Sequence, residues 1–409
     1  MKKTTLCYIK KDDSYLMLFR NKKEQDENEG KWVGVGGKFE DGETADECLI
    51  REVLEETGLT LTSYTFHGIV GFHSDEWGEE DMYLYSADAF EGTLTSNCSE
   101  GELKFVPASE VMSLPMWEGD KYFLPLMLEG CTSISMDLFY KGDELIVVRN
   151  RAVVSGIEMD YAKLGHGEKT MVVLSGLSLV PVAPNGFGLY PVFSPFLSEY
   201  TVYLFDRRLN MPEHYSIEMM AEDTYKVLQS LGIKSAYLYG ASQGGTIALS
   251  LAISHPSFVN KIALASSFAK AHDSFMKVIS NWIEIAKVNT PREIMEYYAD
   301  MLYSEAVLSA YRETIVASGE AATPDDIRRF VICASALCED YNILDDIAKL
   351  QIPIYVSCSE GDKVVPKEAS LEIAEKTGAT LYMYDSSFGH AVYDESPDFY
   401  PRVLEFFNA

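Results

Sequence analysis

At 409 residues the chain exceeds one ordinary domain, and its 47% hydrophobic and 24% charged residues give it apolar material for sizeable cores. Its 34 Lys and Arg against 63 Asp and Glu leave a formal net charge of -29, which argues against non-specific nucleic-acid binding and against adhesion to anionic membranes. A small nucleotide accompanied by a divalent cation is not excluded.

Met1-Lys2-Lys3 leads into the apolar run TTLCYI, too brief for a signal peptide, and the longer stretch from Met171 to Pro184 is broken by Ser, Gly and Pro. The seven cysteines (Cys7, Cys48, Cys98, Cys131, Cys333, Cys338 and Cys358) are scattered without a CxxC pair, so neither a zinc site nor a disulfide framework is expected. A cytoplasmic protein in a reducing compartment fits both observations.

In chain order, LCYIKK, SYLMLFR, MYLYSADAF and ELKFVPA read as strands, with one strong helix over 45–57 and a second around Lys121 to Leu128. This compact mixture predicts a first domain over 1–130, ending at Glu129-Gly130. From about Ser133 the pattern becomes ISMDLFY, LIVVR, TMVVLSG, TVYLFD, SAYLYG, KIALAS, IPIYVS and TLYMYD, separated by turns or helices. Strands alternating with helices predict a second α/β domain over 131–409 with a mostly parallel sheet. Its strand signal lapses over about 268–345, where helical periodicity with Phe275, Met276, Trp282, Tyr297, Tyr298 and Met301 predicts a helical insertion whose aromatics pack as core.

The 45–57 helix carries the first chemistry. Thr44 followed by Glu47 is a capping box, and Gly58 is placed to end the helix in a left-handed turn. Leu49, Ile50, Val53 and Leu54 share one face; Glu52, Glu55 and Glu56 share the other. A solvated acidic side is the plainer explanation. Yet three carboxylates at i, i+3 and i+4 repel one another, and two of them crowd the negative end of the helix dipole. A bound divalent cation removes both objections, and Mg²⁺ takes a few carboxylate oxygens together with waters and phosphates.

Read with its upstream residues, the segment runs Gly37, five residues, Glu43, seven residues, then Arg51-Glu52-Val53-Leu54-Glu55-Glu56-Thr57-Gly58-Leu59. This resembles the Nudix box at every defined position, and GKWVGVGGKFEDGE, Glu100-Gly101 and LPMWEGD at 114–120 extend the resemblance over almost all of 1–130. It looks like the subgroup of 8-oxo-dGTP diphosphatases. The resemblance implies a Nudix α/β/α sandwich on a mixed sheet that cleaves nucleoside triphosphates to a monophosphate and pyrophosphate with Mg²⁺, or Mn²⁺ in its place. It implies that Glu52, Glu55 and Glu56 hold the metal with Gly36, Gly37 and Glu100, and that Glu43 and Arg51 pair to brace the loop. Lys38, Trp117 and Asp120 would contact the nucleotide. Which glutamate acts as base stays open. Val33 and Gly119 stand where the subgroup has an Asn and an Asp on the purine, so the cleaved bond is better specified than the base.

The second chemistry lies in SAYLYG-ASQGG, where Ser242 occupies a GxSxG elbow between a strand and the helix TIALSLAIS. Later, Glu360-Gly361-Asp362 follows the strand IPIYVS and Phe388-Gly389-His390 follows TLYMYD. The order Ser, Asp, His resembles the α/β-hydrolases, whose lids occur where the 268–345 insertion falls. That resemblance implies Ser242, Asp362 and His390 as catalytic residues acting on a small ester or amide, with backbone N–H groups of Leu177 and Gln243 as the oxyanion hole. Ser175-Gly176 replaces the usual His-Gly before that loop. His255 and His272 are alternative bases without the right context, and Cys358 reads as buried packing.

The expectation is therefore a bifunctional hydrolase binding a nucleotide and a small ester or amide, without nucleic-acid or membrane partners. The alternative is an α/β-hydrolase regulated by a nucleotide-sensing Nudix domain, against which the intact glutamates speak. The sequence leaves the oligomeric state open.

Overall fold

A computed structural model describes residues 1–22, 26–339 and 341–409. The chain divides into two compact units, Met1–Asn150 and Arg151–Ala409.

The first unit is built on a mixed sheet. Its strands are β1 (Lys2–Lys11), β2 (Ser14–Arg20), β3 (Trp32–Val33), β4 (Leu59–Ser74), β5 (Gly78–Gly92), β6 (Gly101–Pro107), β7 (Ile134–Lys141) and the start of β8 (Glu144–Val154). They run in the order β8-β7-β4-β5-β1-β2-β3, with β6 also on β2. The β1–β5 and β4–β7 pairs are parallel; the others are antiparallel. Alternate residues feed opposite faces, as the pleat requires. Cys7, Ile9 and Leu16 pack with Leu49 and Val53 of helix α1 (Ala45–Thr57), whereas Tyr8 and Met17 pack with Phe123, Leu124 and Met127 of helix α2 (Asp120–Leu128). The sheet thus lies between two helices. The expected capping box and left-handed Gly58 both form at the ends of α1.

Two expectations shift. ISMDLFY and LIVVR were read with the second domain, but β7 pairs with β4 over seven residues from Gly68↔Ile134 to Ser74↔Tyr140. The compact unit consequently runs to Asn150 rather than to 130. Strand β4, sixteen residues long, was not predicted.

The second unit holds β9 (Ile157–Leu164), β10 (Lys169–Leu174), β11 (Tyr200–Phe205), β12 (Ala236–Ala241), β13 (Val259–Ala265), β14 (Ile354–Ser359) and β15 (Thr380–Tyr384). Their order is β15-β14-β13-β12-β10-β11-β9, parallel except for β9, which was also missed. Strand β12 is buried at every residue except Tyr237, and helix α3 (Gln243–Ser254) behind it is buried over its first ten residues, as befits the centre of a covered parallel sheet. Between β13 and β14 the chain makes the expected helical insertion, with helices at Asp273–Val288, Pro291–Leu302, Glu305–Ala317 and Pro324–Ser335. Phe275, Trp282 and Tyr298 are buried in the same core cluster as the sheet residues and pack as expected, whereas Tyr297, expected to pack with them, is 55% exposed. Among the described residues no helix is long and apolar enough to cross a membrane, and all seven cysteines are unpaired.

Candidate active sites

In the first unit a cleft of about 580 Å³ opens beside the acidic helix. Its floor is set by glycines. A Cβ at Gly36 would lie 2.0 Å from the Thr5 carbonyl oxygen, and one at Gly37 would lie 2.4 Å from the Glu52 carboxyl. Only bare backbone allows Glu52 to approach this closely.

The glutamates divide in their surroundings. Glu56 is 7% exposed; its Oε2 accepts from Gly36 N at 3.1 Å, while its buried Oε1 meets no donor. Burial, and after it the adjacent Glu100 carboxylate, push the Glu56 pKa upward. Glu100 itself pairs with Arg20, which also holds Asp26 at 2.7 Å. Glu52 and Glu100 line the cleft with Gly36, Gly37 and Lys38. Glu55 is 61% exposed and turned toward Arg51 at 3.6 Å, outside the cleft lining. Among the described residues no group of three acidic, cysteine or histidine side chains stands ready to enclose an ion.

Glu43 and Arg51 meet through two hydrogen bonds of 2.8 Å, and Arg51 Nη2 also reaches the Lys38 carbonyl at 3.0 Å. The guanidinium's hydrogen bonds draw the Glu43 pKa down to about 2. Arg51 thereby ties α1 to the glycine-bearing loop.

Aromatic residues line the same cleft. Trp117, 7% exposed, donates from Nε1 to Asn28 Oδ1 at 2.9 Å and has the Lys31 ammonium 3.9 Å from its ring centroid. Its edge meets Phe72 and Tyr140 at 5.6 and 5.0 Å. Asp120 begins α2 and lines the same space; burial pushes its carboxyl up to about 8 despite a backbone hydrogen bond at Trp117 and the charge of Lys31. Sequence reasoning missed Tyr140, whose hydroxyl accepts from Gly119 N at 2.7 Å. A Cβ at Gly119 would stand 2.5 Å from both that hydroxyl and Leu138 Cδ1. The signal was the ISMDLFY strand, which follows α2 without a linker.

In the second unit Ser242 stands between β12 and α3 with φ 50° and ψ -122°, a conformation an L-residue holds only under constraint. The flanking glycines permit it: a Cβ at Gly244 would lie 1.9 Å from the Leu174 carbonyl oxygen, and one at Gly240 would lie 2.5 Å from Gly245 Cα. His390, 2% exposed, donates from Nδ1 to Asp362 Oδ2 at 2.7 Å, and Asp362 Oδ1 accepts from the backbone of Val364 and Val365 at 2.8 and 2.9 Å. The carboxylate is thus fixed before it fixes the imidazole.

Gly176 abuts the Ser242 side chain, since its Cβ would be 3.3 Å from Ser242 Cβ. Leu177 follows it, and no hydrogen bond engages the backbone N–H of Leu177 or of Gln243 among the described residues. Two insertion contacts hold these positions: Tyr298 Oη donates to the Leu177 carbonyl, and Gln243 Nε2 donates to the Cys333 carbonyl at 2.7 Å. The alternative bases lie elsewhere, His255 against Glu222 and stacked on Tyr225, and His272 against Glu372. Cys358 is buried, and burial pushes its thiol up to about 11.

Residues 2–127 match the profile of the NUDIX domain, and residues 179–291 match that of the alpha/beta hydrolase fold. The chain is 31% identical over 134 residues to the uncharacterized Nudix hydrolase YvcI of Bacillus subtilis (strain 168), covering 32% of this chain and 81% of that protein. It is 33% identical over 101 residues to the oxidized purine nucleoside triphosphate hydrolase of Mus musculus, covering 24% of this chain and 64% of that one. Among solved structures, MGS-M2, an alpha/beta hydrolase enzyme from a Medee basin deep-sea metagenome library, aligns with a TM-score of 0.57 at 19% identity over 64% of this chain and 98% of its own. At that identity the likeness is one of fold.

Proposed function

Because the chain belongs to the Nudix hydrolase family through its first unit and carries an alpha/beta hydrolase fold in its second, we propose that this hydrolase has two activities, a nucleoside triphosphate pyrophosphohydrolase and a serine hydrolase of ester or amide bonds. The observation that carries the first is a single cleft lined both by carboxylates with bare glycine backbone and by Trp117 with Asp120. A nucleoside phosphate combines the same two chemistries, a charged phosphate chain and an aromatic base.

The acidic lining fits a divalent cation, because the buried Glu56 Oε1 has no donor and stands beside a second carboxylate. Glu52, Glu56 and Glu100, with backbone at Gly36 and Gly37, would hold it; Glu55 would join by turning inward from Arg51. Mg²⁺, or Mn²⁺, would supply neutralisation of the phosphate charge. Lys38 would add a positive contact to the phosphates. One glutamate would take the proton of the attacking water, and the products would be a monophosphate and pyrophosphate.

Within the same cleft Trp117 would face the base while Asp120, neutral near pH 7, would donate a hydrogen bond to it. The mouse relative's name points toward an oxidised purine such as 8-oxo-dGTP. In this chain Val33 is apolar and Gly119 has no room for a side chain, so discrimination would fall to Asp120 and the aromatic wall.

In the second unit His390 would accept the Ser242 proton as the serine oxygen attacks the carbonyl carbon. Asp362 would hold the imidazole tautomer, and the backbone N–H groups of Leu177 and Gln243 would hold the oxyanion. His390 would then pass its proton to the leaving group, and water would release the acyl group from Ser242.

A panel of nucleoside triphosphates tests the first reading. With Mg²⁺, pyrophosphate release should persist in Ser242→Ala, fall by about a hundredfold or more in Glu56→Gln, and stop on chelation. A wild type that releases pyrophosphate from no nucleotide overturns it. Labelling by a fluorophosphonate tests the second: it should require Ser242 and survive chelation, and an unlabelled wild type would remove the serine mechanism.

A further inference from the structure

Arg207 follows β11 in the second unit and is 8% exposed. A buried guanidinium normally lies against a carboxylate, because a desolvated charge without a partner is strongly destabilising. Here there is none. Its Nη2 donates to the Ser175 carbonyl at 2.7 Å and its Nε is buried without an acceptor; among the described residues no ion pair reaches it.

The neighbouring acids are already committed. Asp206 accepts from the backbone of Val182 at 2.6 Å and Ala183 at 2.9 Å. Asp326 caps its own helix through Thr323 and pairs with Arg329, which also reaches Asp325 at 3.3 Å. Arg207 is the one cation of this group without a direct ion pair among the described residues, although the Asp206 charge acts on it through space. It lines a cavity of about 50 Å³ that also includes Gly176, Leu177 and Gln243. A guanidinium without a direct ion pair therefore borders the backbone assigned to the oxyanion.

We propose that the serine-hydrolase site takes a carboxylate-bearing substrate, with the carboxylate held by Arg207 beside the oxyanion loop. This rests on the reading of Ser242 as nucleophile. A carboxylate carries the single negative charge that neutralises one guanidinium and presents two oxygens to its planar fork. A phosphate near -2 would leave excess negative charge next to Asp206 and Asp326, in a space walled by Leu179, Val180 and Phe330.

The test uses the full-length protein and the rate of fluorophosphonate labelling of Ser242. Millimolar butyrate should slow wild-type labelling about tenfold, whereas the uncharged analogue butyramide and inorganic phosphate should not. Arg207→Gln should lose the butyrate protection, and Arg207→Lys should keep part of it. Butyrate should also raise the melting temperature of the wild type, a readout that needs no variant to fold. Absence of labelling without any additive would remove the nucleophile reading itself. With labelling intact, equal protection by butyrate and butyramide, or undiminished protection in Arg207→Gln, overturns the carboxylate site. Stronger protection by phosphate than by butyrate overturns it in favour of a phosphorylated ligand.

Discussion

Asp120 begins α2 with a buried carboxyl whose pKa stands at about 8, above the usual carboxylate range. The sign follows from burial. Between the unfolded value near 4 and about pH 8 the unfolded chain ionises while the folded one keeps its proton, so this group withdraws stability from the fold as pH rises. Below pH 8 the neutral carboxyl donates a hydrogen bond; above it the donor is lost and a negative charge appears in the cleft. KM for the preferred nucleotide should therefore rise as pH passes about 8. Asp120→Asn, neutral throughout, should flatten that rise in steady-state kinetics from pH 6 to about 9.5, and an unchanged profile in the variant would assign the titration to another group. Several residues of this kind were legible in the sequence because fixed spacing names them: Glu43 with Arg51, and Asp362 with His390, meet as their motifs imply. Arg207 was not, since DRRLN gives no sign of which arginine is buried. Tyr140 was invisible for a related reason, because its strand was attributed to the wrong sheet.

Elements with a local code were read well. Thr44 and Glu47 alone predict the start of α1, and Gly58 with φ 73° ends it. Thr44→Ala removes the acceptor for Glu47 N and the hydroxyl that donates to Glu47 Oε2. It should cost about 1 kcal/mol in urea unfolding of the first unit. Pyrophosphate release should survive, because the glutamates of the cleft lie two turns further along the helix. A loss above about 3 kcal/mol would mean that the cap holds more than the helix end. Strand β4 has no such code. LTLTSYTFHGIVGFHS interrupts its alternation with glycines, and Gly68 marks a register shift where a Cβ would lie 1.9 Å from the Ile134 carbonyl oxygen. What makes it a strand is the neighbour on each side, β5 and β7, which is tertiary information.

At the scale of the whole molecule the class of both units was legible, since strand and helix alternation survives in composition and order. The division between them was not. The pattern after Gly130 changes in sequence before it changes in space, because β7 completes the first sheet. A fragment of residues 1–150 should unfold cooperatively by circular dichroism. A fragment of residues 1–130 should not: it leaves the β4 edge unpaired and removes Met136, Leu138 and Tyr140 from the core around Trp117. Equal stability of the two fragments would show that β7 is an accessory to the first unit.

Tyr140 and Gly119 also restrict how this cleft could change over generations. An aspartate at 119, the purine contact of the resembling subgroup, would drive its Cβ to 2.5 Å from the Tyr140 hydroxyl and from Leu138. Truncating Tyr140 first would open a void beside Trp117 and Phe72 and release the Gly119 N–H from its acceptor. Each single step is costly in one order or the other, so position 119 stays closed to a side chain while Tyr140 remains, and Asp120 with the aromatic wall is the part of the cleft left open to substitution.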